Sequence, residues 1–241
     1  MQDTKQYYYN IEPYRRTLES IVTDVNGDLV RLDKTIFYPA GGGQPCDNGE
    51  FFTSSNTILV VINVFRDRID SDVIWHQVVG DIELLHIGLT ILGNLNWARR
   101  YNHMRMHTCL HLLTFVIDAP VMGCDISEGK GRLDFDLPNP DSFSLDYITR
   151  NLNILIEQNI PVSSKLHTHY DSEQQNTQHL SPYNKSSSSS INIRLVSIGK
   201  INTQPCGGTH LNSTIEVGKV ICTKIKKVSK HNRRIYIEFS S

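Results

Sequence analysis

His107-Thr108-Cys109-Leu110-His111 and, far downstream, Cys206-Gly207-Gly208-Thr209-His210 are the two stretches that decide how this chain is read. Each places two good zinc ligands four residues apart. Together they offer three imidazoles and one thiolate, a set that suits Zn²⁺. The run Met104 to Val116 is rich in helix formers, with apolar residues at Met106, Leu110, Leu112, Leu113 and Val116, so the first pair is expected on a helix over 102–117. There the two histidine Cβ atoms lie about 5–6 Å apart on one face. Both rings then reach one ion at about 2.0–2.1 Å. Around the second pair, Pro205 and the Gly207-Gly208 doublet argue for a turn. Glycine there lets the backbone bend until Cys206 and His210 converge.

Taken singly, each pair has a plainer reading. A histidine pair at i,i+4 is ordinary helix packing, and a cysteine beside Gly-Gly is unremarkable; only the joint pattern points to metal. His103 precedes His107 by four, so His103/His107 is a rival pair, with His103 otherwise a partly exposed helix residue. Four protein ligands commonly close a structural site, whereas catalytic sites keep a position for water. The chain lacks the CxxC knuckles of structural zinc sites, and Thr108 stands where an H-E-x-x-H protease needs its glutamate. Ligand count alone leaves a hydrolase and a structural site both open. Thr108 and Thr209 flank the ligands as candidate catalytic contacts, the alternatives being a helix-carbonyl bond for Thr108 and turn stabilisation for Thr209.

His107-Thr-x-x-His111-Leu-Leu followed by Cys206-x-Gly-Thr-His210 resembles the editing domain of the alanyl-tRNA editing proteins (the AlaX type), which is itself similar to the editing domains of alanyl- and threonyl-tRNA synthetases. Thr35-Ile-Phe-Tyr-Pro-Ala40-Gly41-Gly42-Gly43-Gln44-Pro45 resembles the glycine-rich motif of the longer, two-domain members. Arg132-Leu-Asp134-Phe, Ile193-Arg194-Leu-Val and Thr214-Ile-Glu-Val-Gly218 also fit. The likeness spans residues 20–239. It departs at Ala40, where the family often has Glu, and at Val121 and Cys124, where the synthetase domains carry Gln and Ser. These departures bear on amino-acid preference, not on the zinc site.

The resemblance implies a zinc-dependent hydrolase that deacylates mischarged tRNA(Ala), chiefly Ser-tRNA(Ala) or Gly-tRNA(Ala), and spares Ala-tRNA(Ala). It implies Zn²⁺ held by His107, His111, Cys206 and His210, favouring that pair over His103/His107. Gly41, Gly42, Gly43 and Gln44 would contact substrate or tRNA. They are no P-loop, because no Gly-Lys-Ser/Thr follows, and the plainer reading is a tight barrel turn. Arg132 would bind phosphate or ribose, or else form a strand-surface pair with Asp134. Two other readings stay open: a non-catalytic tRNA-binding module with structural zinc, and editing of Ser-tRNA(Thr).

Composition sets bounds on all this. The 241 residues carry a net charge of −1, are 39% hydrophobic, and suffice for one large domain or two modest ones. Five scattered cysteines, an odd number, do not read as a disulfide framework and suit a reducing, cytoplasmic setting. The N-terminus lacks an apolar signal region, and no apolar run approaches a membrane span. Residues 219–234 hold seven basic residues and no acid, leaving 17 basic against 25 acidic elsewhere. That strip suits a polyanion, unless it is merely a pair of solvated strands, and the resemblance implies that its Lys226, Lys227 and Arg233 meet the acceptor end of a mischarged tRNA. Oligomeric state is not readable.

Residues 18–90 read as β-rich, with strands at 18–25, 29–32, 35–38, 57–66 and 73–79 and a hairpin turn at Asn26-Gly27-Asp28. A helix is expected over 144–158, capped by Asp141 or Ser142, and a mobile polar loop over 171–190. Further strands are expected at 124–127, 132–136, 191–198, 216–228 and 234–239. The class is α+β: a small N-terminal β-barrel over 1–95 carries the Gly-rich motif, and 96–241 forms an α/β two-layer zinc-dependent editing domain.

Overall fold

The computed structural model describes residues 7–55, 57–137, 143–167 and 193–240. It is mostly β, with a closed six-stranded barrel and few helices. The chain divides into two compact units, Met1–Asn102 and His103–Ser241.

The first unit contains helix α1 (Tyr8–Ile11) and strands β1 (Thr17–Asn26), β2 (Leu29–Leu32), β3 (Gly49–Thr53), β4 (Ile58–Arg66), β5 (Ile74–Val79) and β6 (Thr90–Leu95). The strands close in the order β1-β2-β5-β4-β3-β6, every pair antiparallel. Alternating burial along β1 and β4 turns Leu18, Val22, Leu59 and Val61 into the barrel, where they meet Val30, Phe51, Val78 and Ile91.

Residues 35–38 are not the expected strand, apart from one bridge from Thr35 to Tyr7. Ile36, Phe37 and Tyr38 instead fill the barrel core. Their backbone is satisfied by side chains in place of a ladder: Thr35 Oγ1 accepts the Phe37 N–H, Asp47 accepts the Tyr38 N–H, and Arg100 donates to the Ile36 carbonyl. Gly41 and Gln44 exchange both backbone hydrogen bonds (3.1 and 3.0 Å) around Gly42 (φ 58°) and Gly43 (φ 83°). Two consecutive positive φ values make this a primed turn, a conformation that glycine adopts without Cβ strain.

Helix α2 (Trp97–Val116) starts at Asn96, whose side chain accepts the Arg99 N–H at 3.2 Å. The unit boundary falls inside this helix. Its first turn belongs to the barrel because Arg100, fully buried, donates to Asp47 and to the Pro13 and Ile36 carbonyls.

The second unit holds the rest of α2, then β7 (Val121–Ser127), β8 (Lys130–Asp136), α3 (Leu145–Glu157), β9 (Val162–His167), β10 (Ile193–Ile198), β11 (Asn202–Pro205), β12 (Val220–Lys227) and β13 (Asn232–Phe239). One sheet runs β12-β13-β8-β7 and a second β11-β10-β9, all antiparallel. Met104, Met106, Leu110, Leu112 and Leu113 of α2 are all buried, and from His103 to Thr114 only Arg105 is partly exposed, so this stretch of the helix is buried on nearly every side. Gly131 on β8 permits the close approach of this helix, since a Cβ there would lie 2.6 Å from Met106. Helix α3 buries Ile148, Leu152, Leu155 and Ile156.

Its cap is Ser144, whose Oγ accepts the Tyr147 N–H at 3.1 Å; Asp141 and Ser142 lie outside the described residues, as does the 171–190 segment. The strand expected from 216 starts only at Val220. Residues Thr214–Val217 form a 3₁₀ turn, closed by Glu216 accepting the Ser213 N–H (3.1 Å) and ended at Gly218 (φ 72°). All five cysteines are free, and no helix among the described residues is long and apolar enough to cross a membrane.

Candidate metal centre

Helix α2 and the loop after β11 carry two ligands each, and the fold brings them together. The ligand atoms of His107, His111, Cys206 and His210 all lie within 4.8 Å of one another. Cys206 Sγ is 3.4 Å from His107 Nε2 and 3.3 Å from His210 Nε2. A tetrahedral zinc sets neighbouring N and S ligands about 3.4–3.6 Å apart, given its usual bond lengths. Ring centroids of His107 and His111 are 5.2 Å apart, and His210 sits 4.4 and 4.5 Å from them. His103 is outside the quartet, and it is buried (2% exposed) where partial exposure was expected.

Burial governs the protonation of these groups. Desolvation drives His107 and His210 well below the ordinary histidine pKa, helped by the neighbouring imidazoles and by Arg194. His111 is lowered to about 4 by burial and then by Arg194. The Cys206 thiol is pushed up by burial, against the Gly208 N–H and Arg194. Three neutral imidazoles facing one thiol form a donor set that a soft-to-borderline divalent cation completes. Nδ1 of His111 is buried with no hydrogen-bond partner. The residues fit zinc.

Side chains from three elements hold the set. Thr108, fully buried, accepts the Leu211 N–H at 3.2 Å and lies 3.2 Å from His210 Nδ1. A proton on Nδ1, donated to Thr108, leaves Nε2 as the bare nitrogen facing Cys206. So Thr108 reaches across to the second ligand pair rather than only back along its helix. Thr114 donates to the His111 carbonyl (2.8 Å) and accepts from Asn202 (2.9 Å) and Gln204 (2.6 Å), which fixes β11 against α2. Arg194 donates to the carbonyls of Cys206 (3.0 Å) and Gly208 (2.7 Å). Sequence reasoning gave no role to Arg194, Asn202 or Gln204. The available signal was an arginine in the otherwise apolar strand Ile193-Arg194-Leu195-Val196. Thr209 is fully buried. Cys124, on β7, is pushed up to about 12 by burial and by the nearby Cys206.

The remaining candidates are spread differently. Arg132 on β8 bonds Asp134 (3.1 Å) and approaches Asp125 (3.6 Å), while Arg234 grips Asp134 through two bonds of 2.7 Å. Burial opposes it, but these two arginines hold the Asp134 carboxyl below its ordinary pKa. Lys226 and Lys227 are exposed on β12, opposite Arg234 and Arg233. Arg233 is buried, and its guanidinium donates to the carbonyls of Ser229, Lys230 and Asn232 in the hairpin turn. Gly41, Gly42, Gly43 and Gln44 form the turn of the first unit described above, with Gln44 buried.

Comparison with known proteins follows the same lines. Residues 193–236 match the family described as "Threonyl and Alanyl tRNA synthetase second additional domain". The chain is 34% identical over 238 residues to "Alanyl-tRNA editing protein AlaX-M" of Methanosarcina acetivorans, covering 95% of this chain and 96% of the relative. It is 33% identical over 236 residues to the protein of that name from Methanosarcina barkeri, with the same shares covered. It is also 31% identical over 241 residues to "Alanine--tRNA ligase" of Pyrobaculum calidifontis, of which it spans 26%.

Proposed function

The chain belongs to the alanyl-tRNA editing proteins, and from that premise we propose that it removes serine, and also glycine, from mischarged tRNA(Ala) while leaving Ala-tRNA(Ala) intact. The reaction is ester hydrolysis: water attacks the aminoacyl carbonyl, the ester C–O bond breaks, and free tRNA and amino acid are released. An alanine-activating site rejects smaller glycine weakly, and an added hydroxyl weakly as well, so a second hydrolytic site supplies the missing discrimination. One observation carries the reading: three buried neutral imidazoles and a thiol converge from two separate segments onto one point.

His107, His111, Cys206 and His210 are the residues we assign to Zn²⁺. Zinc held there supplies Lewis acidity to the hydrolysis. Cys206, ionised when the site is loaded, would lower the ion's net charge and with it its Lewis acidity, which favours a role in orienting the substrate over activating water. Thr108 fixes the orientation of His210, and Thr209 is proposed to contact substrate from within the ligand loop. We assign the chemistry to residues 96–241, an α/β two-layer editing domain, and tRNA contact to the barrel's Gly41–Gln44 turn in residues 1–95. Exposed Lys226 and Lys227 on β12, and Arg132 two strands away on β8 of the same sheet, are the proposed phosphate contacts. Arg233 supports that hairpin from within, because its Nη1 is engaged by the turn carbonyls.

Deacylation of Ser-tRNA(Ala), Gly-tRNA(Ala), Ala-tRNA(Ala) and Ser-tRNA(Thr) tests the reading. Release of serine or glycine from tRNA(Ala), lost on metal removal, with alanine retained, is the expected result. Hydrolysis of Ser-tRNA(Thr) alone would reassign the substrate. Folded, zinc-loaded protein that binds tRNA and hydrolyses nothing would make it a binding module.

A further inference from the structure

The loop that carries Cys206 and His210 has little to hold it in shape by itself. Gly207 and Gly208 are both outside the positive-φ region, and a Cβ on Gly207 would meet nothing within 4 Å. At Gly207, therefore, neither sterics nor a special backbone conformation imposes the path between the two ligands. A glycine free of such constraints has wide conformational freedom when unsupported. What constrains it comes from outside. The Cys206 N–H donates to the Arg194 carbonyl at 2.9 Å, and one Arg194 nitrogen, Nη1, donates to the carbonyls of Cys206 and Gly208 at 3.0 and 2.7 Å. Three hydrogen bonds from a single residue thus fix the backbone on both sides of Gly207. The Gly208 N–H then points at Cys206 Sγ (3.4 Å), placing the sulfur relative to the clamped loop.

We propose that Arg194 is the positioning residue of the centre, holding the ligand loop so that Cys206 and His210 are preset against the α2 histidines before metal arrives. This rests on the reading of the quartet as a metal site. The guanidinium is a cation close to the quartet, and by charge alone it would weaken metal binding. A net benefit from its presence must come through the loop carbonyls. The two effects have opposite signs, which makes the idea open to refutation.

The experiment compares native protein with Arg194→Met and Arg194→Lys after metal stripping. Zinc affinity is read by competition with a chromophoric chelator, the ligand geometry by the absorption spectrum of the Co²⁺-loaded proteins, and folding by circular dichroism. Arg194→Met is expected to keep the native fold and to bind zinc about 10–100-fold more weakly, the usual cost of losing an outer supporting bond. Its Co²⁺ bands should broaden and weaken. Arg194→Lys keeps the charge and some donors without the planar fork, and is expected to fall between the two. Arg194→Met that binds zinc as tightly as native, or more tightly, with an unchanged Co²⁺ spectrum, overturns the proposal. If the Met variant does not fold, the Lys variant decides by the same two readouts. Native protein that takes up neither ion defeats the metal reading itself, and the Arg194 role with it; native protein that binds while both variants match it defeats the Arg194 role alone.

Discussion

In the first unit, Arg100, Asp47, Thr35 and His76 are all buried, and each has protein partners for its polar atoms. Arg100 reaches both Asp47 oxygens and two backbone carbonyls, while Thr35 Oγ1 lies 2.8 Å from His76 Nε2 and the Val30 carbonyl faces Nδ1 at 3.1 Å. In the second unit His107, His111 and His210 are buried and Cys206 is partly so, yet the four converge on one another, four donors to a cation with no acid among them. One cluster completes its hydrogen bonding within the chain; the other turns its lone pairs inward on a shared point. Buried polar groups that close on themselves serve the fold, and a convergent set left open to an ion serves chemistry.

The sharpest way to break that distinction is to mutate one cluster and look for the other's phenotype. Cys206→Ala should reduce deacylation to the uncatalysed background and abolish stoichiometric zinc. The urea unfolding curve of the first unit should stay native. Tryptophan fluorescence follows that unit selectively, because both tryptophans, Trp75 and Trp97, belong to it. Activity retained in a zinc-free Cys206→Ala protein would refute the assignment of the centre.

Arg100→Met is the converse. It leaves Asp47 buried without its counter-ion, a change that typically costs about 3–5 kcal/mol. The fluorescence-detected midpoint should fall accordingly while zinc stoichiometry per folded chain is unchanged. Loss of zinc with normal barrel stability would reverse the comparison.

How legible these clusters were in the sequence follows from their chemistry. The quartet could be read because histidine and cysteine at i,i+4 are few, and their spacing is set by the helix and the turn that present them. The closed cluster could not, since Arg100, Asp47 and His76 are scattered and their partners are largely carbonyls. Arg194 was hidden for the same reason. Among strands, β1, β2, β4 and β5 show β-branched residues or alternation and were readable. The expected set omitted β3 (Gly-Glu-Phe-Phe-Thr), β6 with Gly93 at its middle, β9 (Val-Ser-Ser-Lys-Leu-His) and β11 (Asn-Thr-Gln-Pro). These are short or polar, and β9 and β11 are sheet edges with mostly unburied side chains. Residues 35–38 erred the other way: their apolar run reflects a core plug satisfied by side chains.

A pH series sharpens the comparison further. Burial lowers His76 to about 4, against the opposing Val30 bond, whereas an unfolded histidine titrates near 6.5. Its folded pKa is the lower one, so protons favour the unfolded state. The His76 contribution is complete above pH 6.5, is lost progressively as pH falls from 6.5 toward 4, and loses no more below that. The total is about 3 kcal/mol. Tryptophan-detected urea curves for native protein should lose stability over that window, and His76→Gln should lose less. Parallel curves for the two proteins would show that His76 is not held neutral.

The smallest effects come from the two glycine runs, Gly41–Gly43 and Gly207-Gly208, which look alike in sequence and differ in backbone. Gly42 has φ 58° in a turn closed on both sides by Gly41 and Gln44, so Gly42→Ala puts an L-residue in the left-handed region, at about 1 kcal/mol. Gly207 has ordinary φ and open space where a Cβ would go, so Gly207→Ala should change stability by less than about 0.5 kcal/mol. Its zinc affinity should also stay native, because Arg194 grips the carbonyls on either side and not the glycine itself. Urea titration for the first variant, and chelator competition added for the second, separate a turn that needs its glycine from a loop whose path is imposed by an arginine. A Gly207→Ala protein that loses zinc while Arg194→Lys keeps it would place the constraint in the glycine after all.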